Sequence, residues 1–275
     1  VKIASLQPSI SIVLERLGSL DRLVACTRYC LQAVPSLRER SLTRNLVVVR
    51  DSWSTTAEEL LMVRPDLVIA SVPYRNESLA AILKAGCPVM ALAPHSLADI
   101  EQDIRLIAAV VGAAEGAEAI VAEMRAAVDE VRRRTFGLPH KPRVYCEEWG
   151  KPLIHSQVWV RELVEASGGV FLGEPGKVTT AEAVAEADPD VIIAAWCGAG
   201  DRVPLEKLAC RPGWEAVRAV RDGRVYCIDD ELLNTPAPTL IDGLHAIASA
   251  LHPDLFGTSG GIRVLDRSRT HSGCV

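Results

Sequence analysis

The hydrophobic pattern alternates two periods. Lys2-Ile3-Ala4-Ser5-Leu6 reads as a first strand. Gln7-Pro8-Ser9 follows as a turn, with Ser9 or Ser11 placed to cap a helix that runs to Leu17 and stops at Gly18. Leu23-Val24-Ala25-Cys26 is a second strand, left through Thr27-Arg28-Tyr29-Cys30, and residues 35–46 read as loop and short helix. Leu46-Val47-Val48-Val49 form a short edge segment ahead of Asp51-Ser52-Trp53-Ser54. A further helix and strand, the loop Ser71-Val72-Pro73-Tyr74-Arg75, a helix from Glu77 to Ala85 and a strand from Pro88 to Leu92 complete the first half. Strands alternating with helices of this length predict a parallel sheet with helices on both faces.

One phrase occurs twice. Thr55-Thr56-Ala57-Glu58, a helical stretch and Pro65-Asp66-Leu67-Val68-Ile69-Ala70 are matched, at the same spacing, by Thr179-Thr180-Ala181-Glu182 and Pro189-Asp190-Val191-Ile192-Ile193-Ala194. In each copy Thr-x-x-Glu predicts a capping box, with Thr55 or Thr179 as the cap and Glu58 or Glu182 reaching back. The proline stops the helix, and the apolar run after it is a strand buried on both faces. Matched copies in the two halves predict two lobes of similar plan.

Between the copies, Leu97, Ile100, Ile104, Ile107, Val110 and Val111 keep a helical period, and so do Ile120, Val121, Met124, Val128 and Val131. This is one long helix, or two with a bend near Gly112, and it acts as a stiff linker. The domain reading is therefore an N-terminal α/β lobe (1–95), a linking helix (96–135), a C-terminal α/β lobe (136–256) and an unstructured tail (257–275). In the second lobe Arg143 to Cys146 is a strand that ends at Glu147-Glu148-Trp149-Gly150. Trp159 to Ala166 and Trp214 to Val220 are helices, Arg224 to Ile228 is a strand, and Pro238 to Leu251 is the last helix. The fold class is α/β: two lobes, each with a mainly parallel sheet flanked by helices, joined by one long helix.

A net charge of −5 speaks against nucleic acid as a partner, since phosphate neutralisation needs clustered Lys and Arg. The one basic run, Arg132-Arg133-Arg134, ends a predicted helix, where it complements the dipole. No uncharged apolar stretch is long enough to span a membrane. The chain starts at Val1 with no leader pattern, so either a leader has been removed or the chain was trimmed. Its cysteines, from Cys26 to Cys274, include no C-x-x-C pair, and the i, i+4 pair Cys26/Cys30 lacks a second pair to complete a zinc site. No metal site is expected.

In an open α/β sheet, ligands bind outside the carboxyl ends of the strands. That rule selects Gln7, Tyr29, the loop to Arg75, Glu147, Glu148, Trp149, Trp196, Cys197 and Asp230, and Trp53 stands just ahead of the first repeat helix. With 4% aromatic residues overall, the concentration of Tyr29, Trp53, Trp149 and Trp196 at these ends points to an aromatic-lined cleft for a large, flat, partly apolar ligand. The competing reading is that the aromatics fill cores, and it is preferred for Trp159 and Trp214. No catalytic arrangement stands out: there is no G-x-S-x-G elbow, phosphate loop or H-E-x-x-H. None of the histidines, His155 and His271 among them, stands at a motif spacing from a nucleophile. Glu147 and Glu148, adjacent on extended backbone, point to opposite faces and would not flank one bond. The chain is not expected to be an enzyme.

With these residues placed, the chain resembles the substrate-binding proteins of cobalamin and iron-siderophore ABC importers, whose two lobes are joined by a single helix. The resemblance is carried by Ile3 to Ser9 through Leu17-Gly18, Thr27 to Cys30, both copies of the repeated phrase, Pro236-x-Pro238 with Leu240 to Leu244, and Leu251-His252-Pro253. It is strongest to the cobalamin-binding branch. It implies that a corrinoid, carried as ligand and not as cofactor, is captured between the lobes. Tyr29, Trp53, Trp149 and Trp196 would pack on the ring, with Gln7, Arg75, Glu147, Glu148 and Asp230 as polar contacts. It further implies an ABC permease as membrane partner, docked through Glu58 and Glu182, a monomeric state, and a periplasmic or extracytoplasmic location. A ferric siderophore or haem is the alternative ligand. Two other readings stay open: a metal-cluster enzyme using Cys30 and Cys197, and a cytoplasmic sensor that binds its ligand without a permease.

Overall fold

The computed structural model describes residues 1–43, 45–266 and 268. Its elements begin with β1 (Ile3–Ser5), α1 (Pro8–Arg16), β2 (Leu23–Thr27), α2 (Arg28–Ala33), α3 (Leu37–Leu42), β3 (Val47–Val49), α4 (Ala57–Val63) and β4 (Leu67–Ser71). They continue with α5 (Asn76–Lys84), β5 (Val89–Leu92), α6 (Leu97–Val111) and α7 (Ala114–Thr135). Then come β6 (Arg143–Gly150), β7 (Leu153–His155), α8 (Val158–Ala166), β8 (Val170–Phe171), β9 (Val178–Thr179), α9 (Ala181–Ala187) and β10 (Val191–Ala194). The last are α10 (Leu205–Ala209), α11 (Arg218–Arg221), β11 (Val225–Ile228), α12 (Asp230–Leu233), α13 (Leu240–Leu251), α14 (Pro253–Phe256) and β12 (Ile262–Val264). Contacts divide the chain into two compact units, Val1–Glu123 with Pro236–Pro238, and Met124–Thr235 with the stretch from Thr239 on. The division falls inside α7.

The first unit holds a five-stranded sheet in the order β3-β2-β1-β4-β5, parallel throughout. Its central strands are buried, as their unbroken apolar runs require, and Ala4, Leu6, Ala25, Val68 and Ala70 pack with Leu60, Leu79 and Ile82 from the helices. The second unit is mixed where a mainly parallel sheet was expected. β6, β10 and β11 run parallel, but β7 folds back on β6, β9 on β7 and β12 on β11, all antiparallel. Trp159 and Trp214 are buried, the latter among Tyr145, Ile192, Leu205 and Val217.

The two copies of the repeated phrase form α4–β4 and α9–β10, with corrections to their caps. Thr56, not Thr55, caps α4, and its box partner is Glu59. Thr55 is buried and donates its hydroxyl to the Arg50 carbonyl. Thr180, not Thr179, caps α9, accepting from Ala183 N at 3.2 Å, and with alanine at the third position no box closes. Both helices end on a non-glycine residue in the left-handed region, Arg64 (φ 52°) and Asp188 (φ 41°), directly before the proline. The aspartate after it then does the same work twice. Asp66 Oδ2 accepts from Lys2 N at 2.7 Å while Asp66 N donates to Lys2 O, and Asp190 Oδ2 accepts from Arg143 N at 2.8 Å while Asp190 N donates to Arg143 O. Each aspartate so fixes the start of the neighbouring strand, β1 or β6.

Of the two readings of the linking stretch, the structure has the second: two helices, because Gly112 takes φ 73° and ends α6. Two other expectations are corrected. Pro8 at the first turn starts α1, while Ser9 and Ser11 are buried within it and cap nothing. Ile262–Val264, placed in the unstructured tail, pairs with Tyr226 to Ile228 as β12. Tail residues 267 and 269–275, with His271 and Cys274, lie outside the described residues.

Candidate functional site

In the first unit the expected residues gather at the carboxyl ends of the strands. Gln7 follows β1 and donates from Nε2 to Ser52 Oγ at 2.8 Å and Pro73 O at 3.1 Å, tying the loop after β3 to the loop after β4. Ser52 Oγ also donates to Pro73 O. Trp53 stands on the first of these loops with 53% of its surface exposed, and Arg75, on the second, lies over its ring at 5.4 Å from the centroid. Thr27 caps α2 by accepting from Cys30 N, which sets Arg28 and Tyr29 on the first turn beyond β2. Arg28, absent from the expected set although it adjoins Tyr29, donates to the Tyr29 hydroxyl at 2.7 Å. A concavity of about 420 Å³ lies beside them, lined by Arg28, Tyr29, Arg50, Asp51 and Ser54 among others.

In the second unit Glu147 is corrected from ligand contact to structural anchor. The strand continues through it, and its side chain is fully buried. Arg211 holds both oxygens, at 2.5 and 2.8 Å; the Tyr145 hydroxyl donates to Oε2 at 2.8 Å and Trp196 Nε1 to Oε1 at 2.8 Å. A buried carboxylate with four such donors is satisfied and has no call for a ligand. Its effect on the surface is indirect: it fixes the half-buried Trp196 ring, which lies against Gly150 so closely that a Cβ there would be 2.5 Å from the ring.

Glu148 points to the other face, as alternation requires. Burial raises its carboxyl above the usual range, opposed by hydrogen bonds from Gln157 and Cys197. Gln157 Nε2 donates to it at 2.7 Å. Cys197 is exposed beside Glu148 and Asn234. Asp230 accepts from Gly198 N and Gly200 N, each at 2.7 Å, so it shapes the loop after β10. Trp149 is 45% exposed and donates to Lys151 O at 2.8 Å near the β6–β7 turn. Glu58 and Glu182 are both exposed and occupy the same position, the second residue of α4 and of α9.

Cys30 is fully buried, with Sγ 3.3 Å from Thr27 Oγ1. Among the described residues no group of three or more His, Cys, Asp or Glu is arranged to hold a metal ion, and no helix is long and apolar enough to cross a membrane.

Residues 3–232 match the family described as periplasmic binding protein. The chain belongs to that family. An ABC transporter substrate-binding lipoprotein of Bacillus subtilis, YvrC, is 26% identical over 93% of this chain and 81% of its own length. A cobalamin-binding protein of Halobacterium salinarum is 24% identical over 91% of this chain and 69% of its own. Among solved structures, the periplasmic haem-binding protein RhuT of Roseiflexus superposes with a TM-score of 0.77 at 25% identity, covering 93% of this chain and 98% of that one. Members of the family are binding proteins of transport and not enzymes, and this chain is read as one of them.

Proposed function

We propose that this family member is the substrate-binding component of an extracytoplasmic ABC import system, and that its ligand is a corrinoid such as cobalamin. The observation that carries the ligand reading is the set of aromatic and polar side chains at the strand carboxyl ends. Tyr29, Trp53, Gln7 and Arg75 stand there in the first unit, and Trp149, Trp196, Glu148 and Asp230 in the second. The Halobacterium relative, a cobalamin-binding protein by name, supports it. Titration with cyanocobalamin, followed by tryptophan fluorescence and calorimetry, tests it. Saturable binding at one site per chain, weakened by Trp53→Ala or Trp196→Ala, is expected. Absence of binding at high micromolar ligand excludes the corrinoid.

Permease docking through Glu58 and Glu182 is supported by their equivalence. Each is exposed, and neither closes a capping box, since Glu59 holds that place in α4 and alanine in α9. One exposed Glu–Arg pair contributes only about 0.2–1 kcal/mol, so two pairs would chiefly set orientation and encounter rate. Glu58→Lys with Glu182→Lys should abolish uptake in cells and leave ligand affinity unchanged, with a thermal stability lowered only modestly, by the reversal of a favourable first-turn charge in each helix. Unchanged uptake would remove docking and favour a sensor.

A haem ligand is the second reading, favoured by Tyr29. A tyrosine oxygen can hold haem iron, and the Tyr29 hydroxyl, held by Arg28 at 2.7 Å, stands just beyond the carboxyl end of β2. A haem spectrum altered by Tyr29→Phe would support this reading over the corrinoid.

A further inference from the structure

Two arginines of the first unit are each set against an aromatic ring, and among the described residues neither forms an ion pair. Arg28 lies over Tyr29 with its guanidinium carbon 4.7 Å from the ring centroid, and Arg75 lies over Trp53 at 5.4 Å. Both arginines are exposed, one just beyond β2 and the other just beyond β4. They belong to one loop cluster. Gln7 and Ser52 join the Trp53 loop to the Arg75 loop through Pro73 O, and the concavity beside Arg28 and Tyr29 reaches Asp51 and Ser54 on the Trp53 loop.

The nearby carboxylates are engaged elsewhere. Glu59 pairs with Arg50 at 2.9 Å. Asp51 Oδ1 accepts from Trp53 N, Ser54 N and Ser54 Oγ, and so holds its own loop, acting on Arg28 only through space. A guanidinium over a ring keeps N–H groups to spare, and these match carboxylate and phosphate oxygens; Arg28 spends only Nη2 on the Tyr29 hydroxyl, at 2.7 Å. Rings meant only to stack on a ligand would gain from leaving both faces bare. Here each ring has a cation over it.

We infer that the first unit recognises anionic oxygens on the margin of its ligand through Arg28 and Arg75. The inference rests on the flat-ring ligand proposed above and adds the class of its substituents: an acid-bearing ring is bound in preference to the same ring made neutral. Two sources share this chemistry, the side-chain carboxylates of a haem-like macrocycle and the phosphate that joins a corrinoid to its nucleotide arm.

The test is a set of fluorescence and calorimetric titrations of the full chain with two matched pairs: haemin against its dimethyl ester, and cyanocobalamin against dicyanocobinamide, which lacks the phosphate and nucleotide. In at least one pair the acid-bearing member should bind about tenfold tighter or more, and added NaCl should narrow the gap. The pair that shows the gap names the source. The double variant Arg28→Gln/Arg75→Gln, altered only at exposed positions, should bind both members of that pair alike, at the affinity wild type has for the neutral one. Equal binding of both members of each pair by wild type overturns the inference. So does a variant that weakens both members equally, which would make the arginines mere packing. If wild type binds none of the four, the ring-ligand reading itself fails and takes this inference with it.

Discussion

At the residue scale, Glu147 shows how a buried charge can shape a surface it never reaches. Removing one partner of a buried pair strands the other, so Arg211→Met should destabilise the protein by about 3–5 kcal/mol in urea unfolding. Gly150→Ala puts a methyl group where the Trp196 ring lies, and overpacking of this kind costs about 1–3 kcal/mol. It should also shift the tryptophan emission. His155 is buried against Tyr145 and Phe171, and burial lowers its pKa, with Glu147 pulling it back in part. A folded pKa below the unfolded one means that the folded state binds fewer protons. Its contribution is therefore present above the ordinary histidine range and is lost as pH falls through that range toward the depressed value. Thermal unfolding between pH ~7.5 and ~5 should show wild type losing more stability than His155→Phe. The sequence indicated that Glu147 and Glu148 face opposite ways, but not which faces inward. Arg211, which decides it, is 64 residues away in the chain.

At the scale of elements, the repeated phrase makes a sharp comparison. Thr180→Ala should cost about 0.5–2 kcal/mol by losing the cap of α9, whereas Thr179→Ala at the end of β9 should cost less. Likewise Glu59→Ala should lower thermal stability, through the box and the Arg50 pair, while Glu58→Ala should stay within about 0.5 kcal/mol of wild type. Two adjacent threonines offer two equivalent caps to local reasoning. The register is set by the Arg50 carbonyl, which takes the Thr55 hydroxyl and leaves the cap to Thr56. The parallel strands were legible because burial on both faces writes them as unbroken apolar runs. The strands β7, β8 and β9 were not, since two or three residues hold no measurable period. β12 was hidden because Ile262–Val264 is held by pairing with β11, in a stretch of glycine, serine and arginine that shows no pattern of its own.

At the scale of the whole molecule, each unit carries a tryptophan beyond its strand carboxyl ends, Trp53 in the first and Trp196 in the second. Trp53→Phe and Trp196→Phe, titrated separately, show which unit the ligand touches, and a loss of affinity in both is the expected outcome. A change confined to one variant would assign the ligand to a single unit. The family and the two-lobed plan were legible because they rest on a pattern spread along the chain, whereas ligand chemistry rests on a few loop residues with no period to reveal them. The aspartates that follow Pro65 and Pro189 carry one more consequence. Residues 56–66 and 180–190 have equal length, begin on a capping threonine, turn left-handed before proline and end on an aspartate that grips the first amide of the adjoining strand. The ends are held by the same backbone groups, but outer side chains differ: Arg50 pairs with Glu59 beside the first copy, and Arg218 with Asp188 and Asp190 beside the second. An exchange of the two segments should therefore keep its stability only when the partner arginine moves with its copy.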